Sequence, residues 1–175
     1  MKSMWLGVVA VLSLALSGVT MADTPVQFST INHFNAPGDE NVRGVRFPFL
    51  YGKTSSVHGV DLHLIAVGEA DEFVGVQFPL LLFGANHINS SMKGVSLGLW
   101  NWNKGQTTGL NMGAVNITSK VKGANVGFVN LNKQSTTFDL GIFNKTERLE
   151  GLQIGLINCA KNGFLPCFIF FNFGK

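Results

Sequence analysis

Apolar and polar residues alternate along this chain in short segments that recur at an almost constant interval. The pattern is small, apolar, polar, apolar, Gly, apolar, apolar, Asn, and its fullest copy is GLQIGLIN at residues 151–158. Further copies begin at residues 94, 109, 123 and 137, so that successive starts lie 15, 14, 14 and 14 residues apart. Alternation with a period of two predicts β-strands rather than helices. The fixed spacing predicts a fold built from one repeated unit.

Every copy has one apolar and one small or polar face. In the last full copy, Leu152, Ile154 and Leu156 point to one side of the predicted strand, and Gln153 points to the other with the glycines. Degenerate copies around residues 44, 59 and 75 extend the pattern towards the N-terminus. Because the spacing between copies is mostly even, the faces stay in phase from strand to strand.

These features predict an all-β fold, and an up-and-down antiparallel β-barrel of about ten short strands fits them best. Membrane barrels use strands of about 9–11 residues that are apolar outward and polar inward. Aromatic residues near the strand ends, such as Trp100, Trp102 and Phe143, fit interfacial girdles. The longest connection predicted is the loop at residues 84–91.

The alternative fold is a β-solenoid in which each repeat forms one coil. The recurring Asn at 101, 116, 130, 144 and 158 would then form a stacked ladder. The segments at 119–122 and 145–148 argue against this alternative, because they are mostly polar and would close no apolar core.

The N-terminal segment has the pattern of an export signal. Residues 1–22 combine Lys2, an apolar stretch from Met4 to Leu16 and a small-x-small ending at Ala22. We therefore predict a signal peptide at 1–22 and a single repeat-built β domain at 23–175. The expected location is the outer membrane, with cell surface or secretion as the alternative, and outer-membrane lipid is the expected partner. The chain has no run of Lys or Arg, so we expect no nucleic-acid partner.

The units GLQIGLIN, GANVGFVN and GLNMGAVN resemble a bacterial family of secreted surface-repeat proteins built from GxQIGLxN-type units. The resemblance covers roughly residues 94–173, with weaker copies back to residue 44. It implies an envelope protein and assigns no catalytic residue. Pro48 and Pro79 depart from the pattern, since each occupies the place of the second repeat glycine.

Two sets of polar residues are candidate binding groups. Arg46, Asp61, His63 and Gln77 lie on the small-residue face of consecutive predicted strands, where they would project together into a barrel lumen. We expect Arg46 and Asp61 to pair there, because a charge in a narrow interior needs a partner. An internal plug network of these residues is favoured over a lining for a polar solute or an active site. The second set occupies one slot of successive repeats and would cross a barrel lumen or form a solvent-facing solenoid ladder: Ser96, Asn111, Asn125, Asp139 and Gln153.

No residue stands out as a catalyst. The sequence at 94–98 matches the GxSxG nucleophile motif, but its glycines are repeat glycines and no helix is predicted after Ser96. The His residues lack metal-ligand spacing, so we expect no metal and no cofactor. Cys159 and Cys167 flank a predicted hairpin turn and are either a disulfide or two buried thiols. The sequence thus predicts a non-enzymatic envelope protein with a structural or surface-interaction role, or, as a solenoid, a secreted binding module. A small outer-membrane enzyme that uses residues such as Asp61 and His63 is the least favoured alternative.

Overall fold

The computed structural model describes residues 23–31, 34–38, 41–64, 67–80 and 84–175, and over these ranges the chain consists of β-strands and turns. The predicted signal peptide at 1–22 lies outside the described residues. The strands are β1 (Thr24–Ser29), β2 (Asn35–Ala36), β3 (Asn41–Pro48), β4 (Tyr51–His63), β5 (Val67–Pro79), β6 (Ala85–Leu97), β7 (Trp100–Met112), β8 (Val115–Val126), β9 (Val129–Leu140), β10 (Phe143–Ala160) and β11 (Cys167–Phe173).

The strands from β3 to β10 stack in sequence order, and each pairs in parallel with the next. The register places equivalent repeat positions side by side, as with Gly109 and Gly123 or Asn101 and Asn116. Consecutive strands joined by a short turn can lie parallel only if the chain travels once around an axis between them. Each repeat unit is therefore one coil of a β-solenoid.

The prediction of an up-and-down antiparallel barrel is wrong, and the alternative prediction of a β-solenoid is correct. A barrel of that kind needs antiparallel neighbours and pairing between its first and last strands. In the described part of the chain the strands instead form one open sheet with the order β11-β10-β9-β8-β7-β6-β5-β4-β3-β1-β2. The strands are also longer than predicted, with 13 residues in β7, because the backbone keeps its bonds to the next coil through the bends.

One bend in the coils of β3 to β8 depends on glycine, whereas Thr137 occupies this place in β9. Gly109 and Gly123 have φ angles of 136° and 141°, a conformation that side-chain-bearing residues rarely adopt. A Cβ at either position would overlap the carbonyl oxygen of the equivalent glycine in the preceding coil. The bend turns the chain from a polar outer surface, which carries Lys93 and Lys122, to an apolar one.

The interior changes character along the solenoid. An apolar core fills the coils of β3 to β6, with Val57, Phe73 and Met92 among its members. In the next coil Thr107 occupies the register position of Met92 and Asn103 that of Ile88. Segments 119–122 and 145–148 are mostly polar, as the sequence indicated, and Val121 is their one buried apolar side chain. The interior that these segments enclose contains hydrogen bonds between asparagine and threonine side chains, such as those of Asn116 and Thr118 to the next coil, and that is why polar segments are compatible with a solenoid.

The C-terminal end of the solenoid is covered by the chain itself. β11 pairs antiparallel with β10, and a disulfide joins Cys159 to the directly opposite Cys167. The Asn162 side chain accepts a hydrogen bond from the Leu149 N–H at 2.7 Å and donates one to the Leu149 carbonyl at 2.9 Å. These contacts occupy backbone groups that an open sheet edge would present to another chain.

The predicted extended loop at residues 84–91 is wrong as well. Residues from Ala85 onwards belong to β6, and Ala85 and Asn86 pair in register with Trp100 and Asn101 of β7. Its polar residues are used within the strand, since Asn86 belongs to the interior ladder described below and Asn89 contacts Glu69 on the outside, so the polarity of the segment does not indicate a loop.

Candidate functional site

A ladder of asparagine side chains runs through the interior of the solenoid. From Asn86 to Asn144, each side-chain amide donates a hydrogen bond to the amide oxygen of the next ladder member, at 2.7–2.8 Å. Most of them also donate to a backbone carbonyl of the bend, as Asn116 does to Val126 at 3.1 Å. The members are Asn86, Asn101, Asn116, Asn130, Asn144 and Asn158, all at most 1% exposed. Because each of these ladder amides is hydrogen-bonded, the ladder stabilises the coil stack rather than weakening it.

The second predicted ladder is also internal. Ser96, Asn111, Asn125, Asp139 and Gln153 are fully buried, so the expectation of a solvent-facing ladder in a solenoid is wrong. The Asn111 amide donates to Asn125 at 2.8 Å, and the Asn125 amide donates to Asp139 at 2.8 Å. The Ser96 hydroxyl donates to Asn101 at 2.8 Å, inside the stack. These side chains therefore have no access to an external ligand.

Asp139 is a buried carboxylate that neutral donors surround. Asn125 and Thr136 bind one of its oxygens at 2.8 and 2.9 Å, and Asn132 and Gln153 bind the other at 2.8 and 3.1 Å. Burial raises the pKa of Asp139, although these four hydrogen bonds act in the opposite direction. The folded state therefore favours the protonated acid, and ionisation at neutral pH costs stability.

We expect Asp139→Asn to stabilise the protein at pH 7 by about 1 kcal/mol. The new amide removes the buried charge. Where its NH2 replaces the oxygen bound by Gln153 and Asn132, the Asn132 amide loses an acceptor, and a flip of the Gln153 amide presents the Gln153 side-chain oxygen, which lacks a hydrogen-bond partner, to the new donor. Because the pKa is raised on folding, the native side chain contributes fully below its unfolded pKa of about 3.9 and loses that contribution as pH rises through the folded pKa. The gain should accordingly shrink as pH falls towards 4.

Thermal unfolding of the native protein and Asp139→Asn at pH 4 and pH 7 measures this difference. Glu150→Gln is the matched control, since it also removes one negative charge but from an exposed position. An Asp139→Asn variant that is less stable than the native protein at pH 7 would show that the hydrogen bonds to the carboxylate outweigh its burial.

Three of the four residues predicted as a cluster meet inside the first coils. The Arg46 guanidinium pairs with the Asp61 carboxylate, and His63 Nδ1 lies 3.4 Å from the other oxygen of Asp61. Although burial alone would raise it, the positive charge of Arg46 lowers the pKa of Asp61 to about 2. Gln77 is the register neighbour of Asp61 on β5, but its side-chain amide donates to Ser96 of the next coil at 2.7 Å. All four side chains are fully buried, so the cluster belongs to the interior and faces neither a lumen nor solvent.

The cluster also ends the asparagine ladder. His63 Nε2 is bonded to the side-chain oxygen of Asn86, the first ladder member. The imidazole occupies space that a side chain at residue 68 would need, and Gly68 stands there. The line of buried polar side chains therefore runs from Asn86 to His63, then to Asp61, and ends at the charged guanidinium of Arg46.

A second polar cluster, absent from the sequence-based predictions, lies on the outer flank of β4 to β6. Glu69 accepts hydrogen bonds from the Tyr51 hydroxyl and from the Asn89 amide, and Lys53 lies 3.2 Å from it. Its partial burial is outweighed by these contacts, which lower the pKa of Glu69 to about 2. Burial and the bond to Glu69 raise the pKa of Tyr51 to about 12. Across the described residues, no three His, Cys, Asp or Glu side chains are grouped to hold a metal ion.

A large apolar surface lies on the outside of the solenoid. In each coil, the strand segment after the bend carries outward apolar side chains. These side chains align with their equivalents in neighbouring coils as columns, and the columns together form what we call the apolar face. One column contains Val26, Val45, Val60, Val76, Val95, Leu110, Ala124, Phe138, Leu152 and Phe173, neighbours in register throughout. A second contains Phe28, Phe47, Leu62, Phe78, Leu97, Met112, Val126, Leu140, Ile154 and Phe171.

The turns beyond these columns widen the apolar face. They carry Leu80, Leu99, Ala114, Phe128, Ile142 and Leu156, and the next column begins with Trp100, Val115, Val129 and Phe143. None of these side chains is buried. The sequence already indicated which residues form one apolar surface, because they alternate with the buried ladders.

Comparisons with known proteins add no assignment. Neither protein-family models, nor curated proteins, nor solved structures contain a match to this chain. The resemblance to secreted surface-repeat proteins therefore stays a prediction. No helix in the described ranges is long and apolar enough to cross a membrane. The fold that the geometry does establish is an all-β solenoid of tandem repeats with a polar interior and one apolar outer face.

Proposed function

We propose that this protein is a lipid-binding solenoid that rests on a membrane surface through its apolar face. The observation that carries the proposal is the inverted polarity of the coils. In β7 to β10 the interior holds hydrogen-bonded amides, while every leucine, isoleucine and phenylalanine side chain of the same strands except Leu149 points outward. Such an arrangement suits a surface that lies against an apolar medium.

The size of the apolar face supports a binding role. Ten strands spaced about 4.8 Å apart give it a length of roughly 40 Å, and its columns and turns give a width of roughly 15 Å, or on the order of 600 Å². Patches at or above that size on soluble monomers usually mark interaction sites. Among the described residues, no charged side chain belongs to its columns or turns.

The chemistry at one edge of the apolar face favours lipid as the partner. Outward side chains in β7 run from Trp100 at the edge to Trp102 and then to Lys104, whose ammonium lies 5.0 Å from the Trp102 ring. The two indoles are 47% and 41% exposed. In membrane-bound proteins, apolar side chains contact the acyl chains, aromatic side chains lie at the interface, and basic side chains contact anionic headgroups. The side chains of β7 follow the same order.

Both flanks contribute further positive charge. Arg43, Lys93 and Lys122 lie on the flank before the glycine bend, and Lys133 and Lys145 lie on the opposite side. Acidic residues such as Glu150 are interspersed among them, so the attraction to an anionic surface is moderate. The predicted signal peptide at 1–22 supports an exported protein, and we propose that the outer membrane is the surface on which it rests.

Vesicle flotation tests this function. We expect the native protein to float with vesicles of phosphatidylethanolamine and phosphatidylglycerol, and Leu140→Asp combined with Ile142→Asp to lose most of that binding. Charges placed at these exposed apolar positions would have to enter the hydrocarbon boundary, which costs several kcal/mol. Gln106→Asp, at an exposed position on the polar side, should float like the native protein.

Light scattering in the absence of lipid identifies the other occupant of the apolar face. A stable dimer that Leu140→Asp with Ile142→Asp dissociates, together with no flotation of the native protein, would assign the face to a second copy and refute the lipid proposal. Circular dichroism of each variant establishes that the solenoid has folded.

A further inference from the structure

A groove runs along the apolar face, parallel to the solenoid axis, and has a volume of about 770 Å³. Its floor is the backbone at Pro79, Gly98, Gly113 and Gly127, at equivalent places in successive coils. Its walls are the side chains before and after that floor, including Leu97, Met112 and Val126 on one side and Leu99, Ala114 and Phe128 on the other. The volume is within the range of small-molecule sites.

The backbone N–H groups of the glycines in the floor are already hydrogen-bonded within the protein. The N–H groups of Gly98, Gly113 and Gly127 donate to the carbonyls of Met112, Val126 and Leu140 at 2.9–3.0 Å. A peptide strand laid along the groove would therefore find no backbone donors on these glycines. An occupant that needs no hydrogen bonds fits this lining, and a hydrocarbon chain is such an occupant.

The length of the groove agrees with that class of ligand. From Pro79 to Gly127 the floor crosses four coils, or three intervals of about 4.8 Å, which is roughly 14 Å. One acyl chain in a bilayer leaflet spans about half of a hydrocarbon core some 30 Å thick, or roughly 15 Å. The small side chain of Ala114 keeps one wall low, so the groove is open along the apolar face.

We propose that this groove holds one acyl chain of a membrane lipid. The inference rests on the proposed function and extends it, because it replaces general contact with a lipid surface by a discrete site for one chain. The groove lies within the apolar face, so a protein resting on a membrane would present it directly to the lipid.

The test uses two substitutions of the same residue type on the same face. Ala114→Trp places an indole in the groove wall, whereas Ala124→Trp adds the same bulk in the neighbouring column, outside the groove lining. The probes are parinaric acid, a straight-chain fatty acid with intrinsic fluorescence, and a lysophosphatidylglycerol carrying the same chain. Each probe is used below its micelle concentration.

We expect the native protein and Ala124→Trp to bind one molecule of the lysolipid saturably, and Ala114→Trp to bind it at least tenfold more weakly. Vesicle flotation of Ala114→Trp should be unchanged, because the apolar face remains apolar. Equal lysolipid binding by the two variants, or no saturable binding by any form, would overturn the groove assignment while flotation still supports the proposed function.

Two further outcomes distinguish a membrane lipid from a free fatty acid, and the groove assignment from the membrane-surface function. Saturable binding of the free acid alone, without the lysolipid, would overturn the assignment to a membrane lipid in favour of a free fatty acid. Lysolipid binding that Ala114→Trp abolishes, combined with no flotation of the native protein, would support the groove and refute the membrane-surface function.

Discussion

Replacing Gly109 by alanine is expected to destabilise the solenoid by at least about 3 kcal/mol, a large part of the stability of a typical domain. Gly109 has a φ of 136°, and an added Cβ would overlap the backbone carbonyl of Gly94. Relief of that overlap requires the coil to move, which breaks hydrogen bonds to the coils on both sides. A flexible side chain could give way, but a stacked backbone cannot.

Urea unfolding followed by circular dichroism measures the effect, because a fall in the midpoint at constant slope reports lost stability. Gly38→Ala is the matched control. At Gly38 the nearest atom to an added Cβ is the Asn35 carbonyl oxygen at 4.0 Å, and the φ angle is not in the positive range. Gly38→Ala should unfold like the native protein. Equal midpoints for the two variants would show that the glycine bend is not required for stacking.

The repeat pattern was sufficient to predict the strands and to sort their side chains. Alternation placed Asn111, Asn125, Asp139 and Gln153 on one face and their apolar neighbours on the other, and the structure keeps that division. The division also suited the barrel prediction, since a membrane barrel is polar inside and apolar outside. A period-two pattern states which residues share a face but does not state whether the neighbouring strand is parallel.

The strand direction is not determined by the polarity of individual segments. The polar segments at 119–122 and 145–148 argued against a solenoid, on the assumption that a core must be apolar. Asn116 and Asn130 show why the assumption fails, because each amide is bonded to the next coil at a spacing that only in-register parallel stacking supplies. The constant 14- to 15-residue offset of those asparagines was the signal for parallel coils.

The candidate site was predictable in part for the same reason. Arg46 and Asp61 pair, as their shared face suggested, and Asn86 was recoverable from its position 15 residues before Asn101. Burial of the whole set was not recoverable, because whether a polar face points to solvent or to an interior depends on how the coil closes. The Glu69 cluster was not predicted, although Lys53 and Glu69 share a register position in neighbouring coils, because that position carries no recurring residue type along the chain.

Arg46→Met is expected to destabilise the protein by about 3–5 kcal/mol, the usual effect of leaving one member of a buried ion pair without its partner. Arg46 and Asp61 are both fully buried, and Arg46 also donates to the Glu69 carbonyl at 2.8 Å. Arg43→Met is the matched control on the same strand. Arg43 pairs with Asp23 at 3.0 Å but its side chain is 67% exposed, so its loss should change stability by no more than about 1 kcal/mol.

The pH dependence separates lost charge pairing from lost packing. In the native protein the lowered pKa of Asp61 contributes stability above its unfolded value near 3.9, and this contribution is lost as pH falls towards about 2. Without Arg46, burial dominates and the dependence reverses, so Arg46→Met should lose stability as pH rises above 4. Adding Asp61→Asn removes the stranded charge, and the double variant should recover much of the loss at pH 7. A double variant as unstable as Arg46→Met alone, with no pH dependence in either, would mean that Arg46 acts by filling space beside the apolar core rather than by its charge.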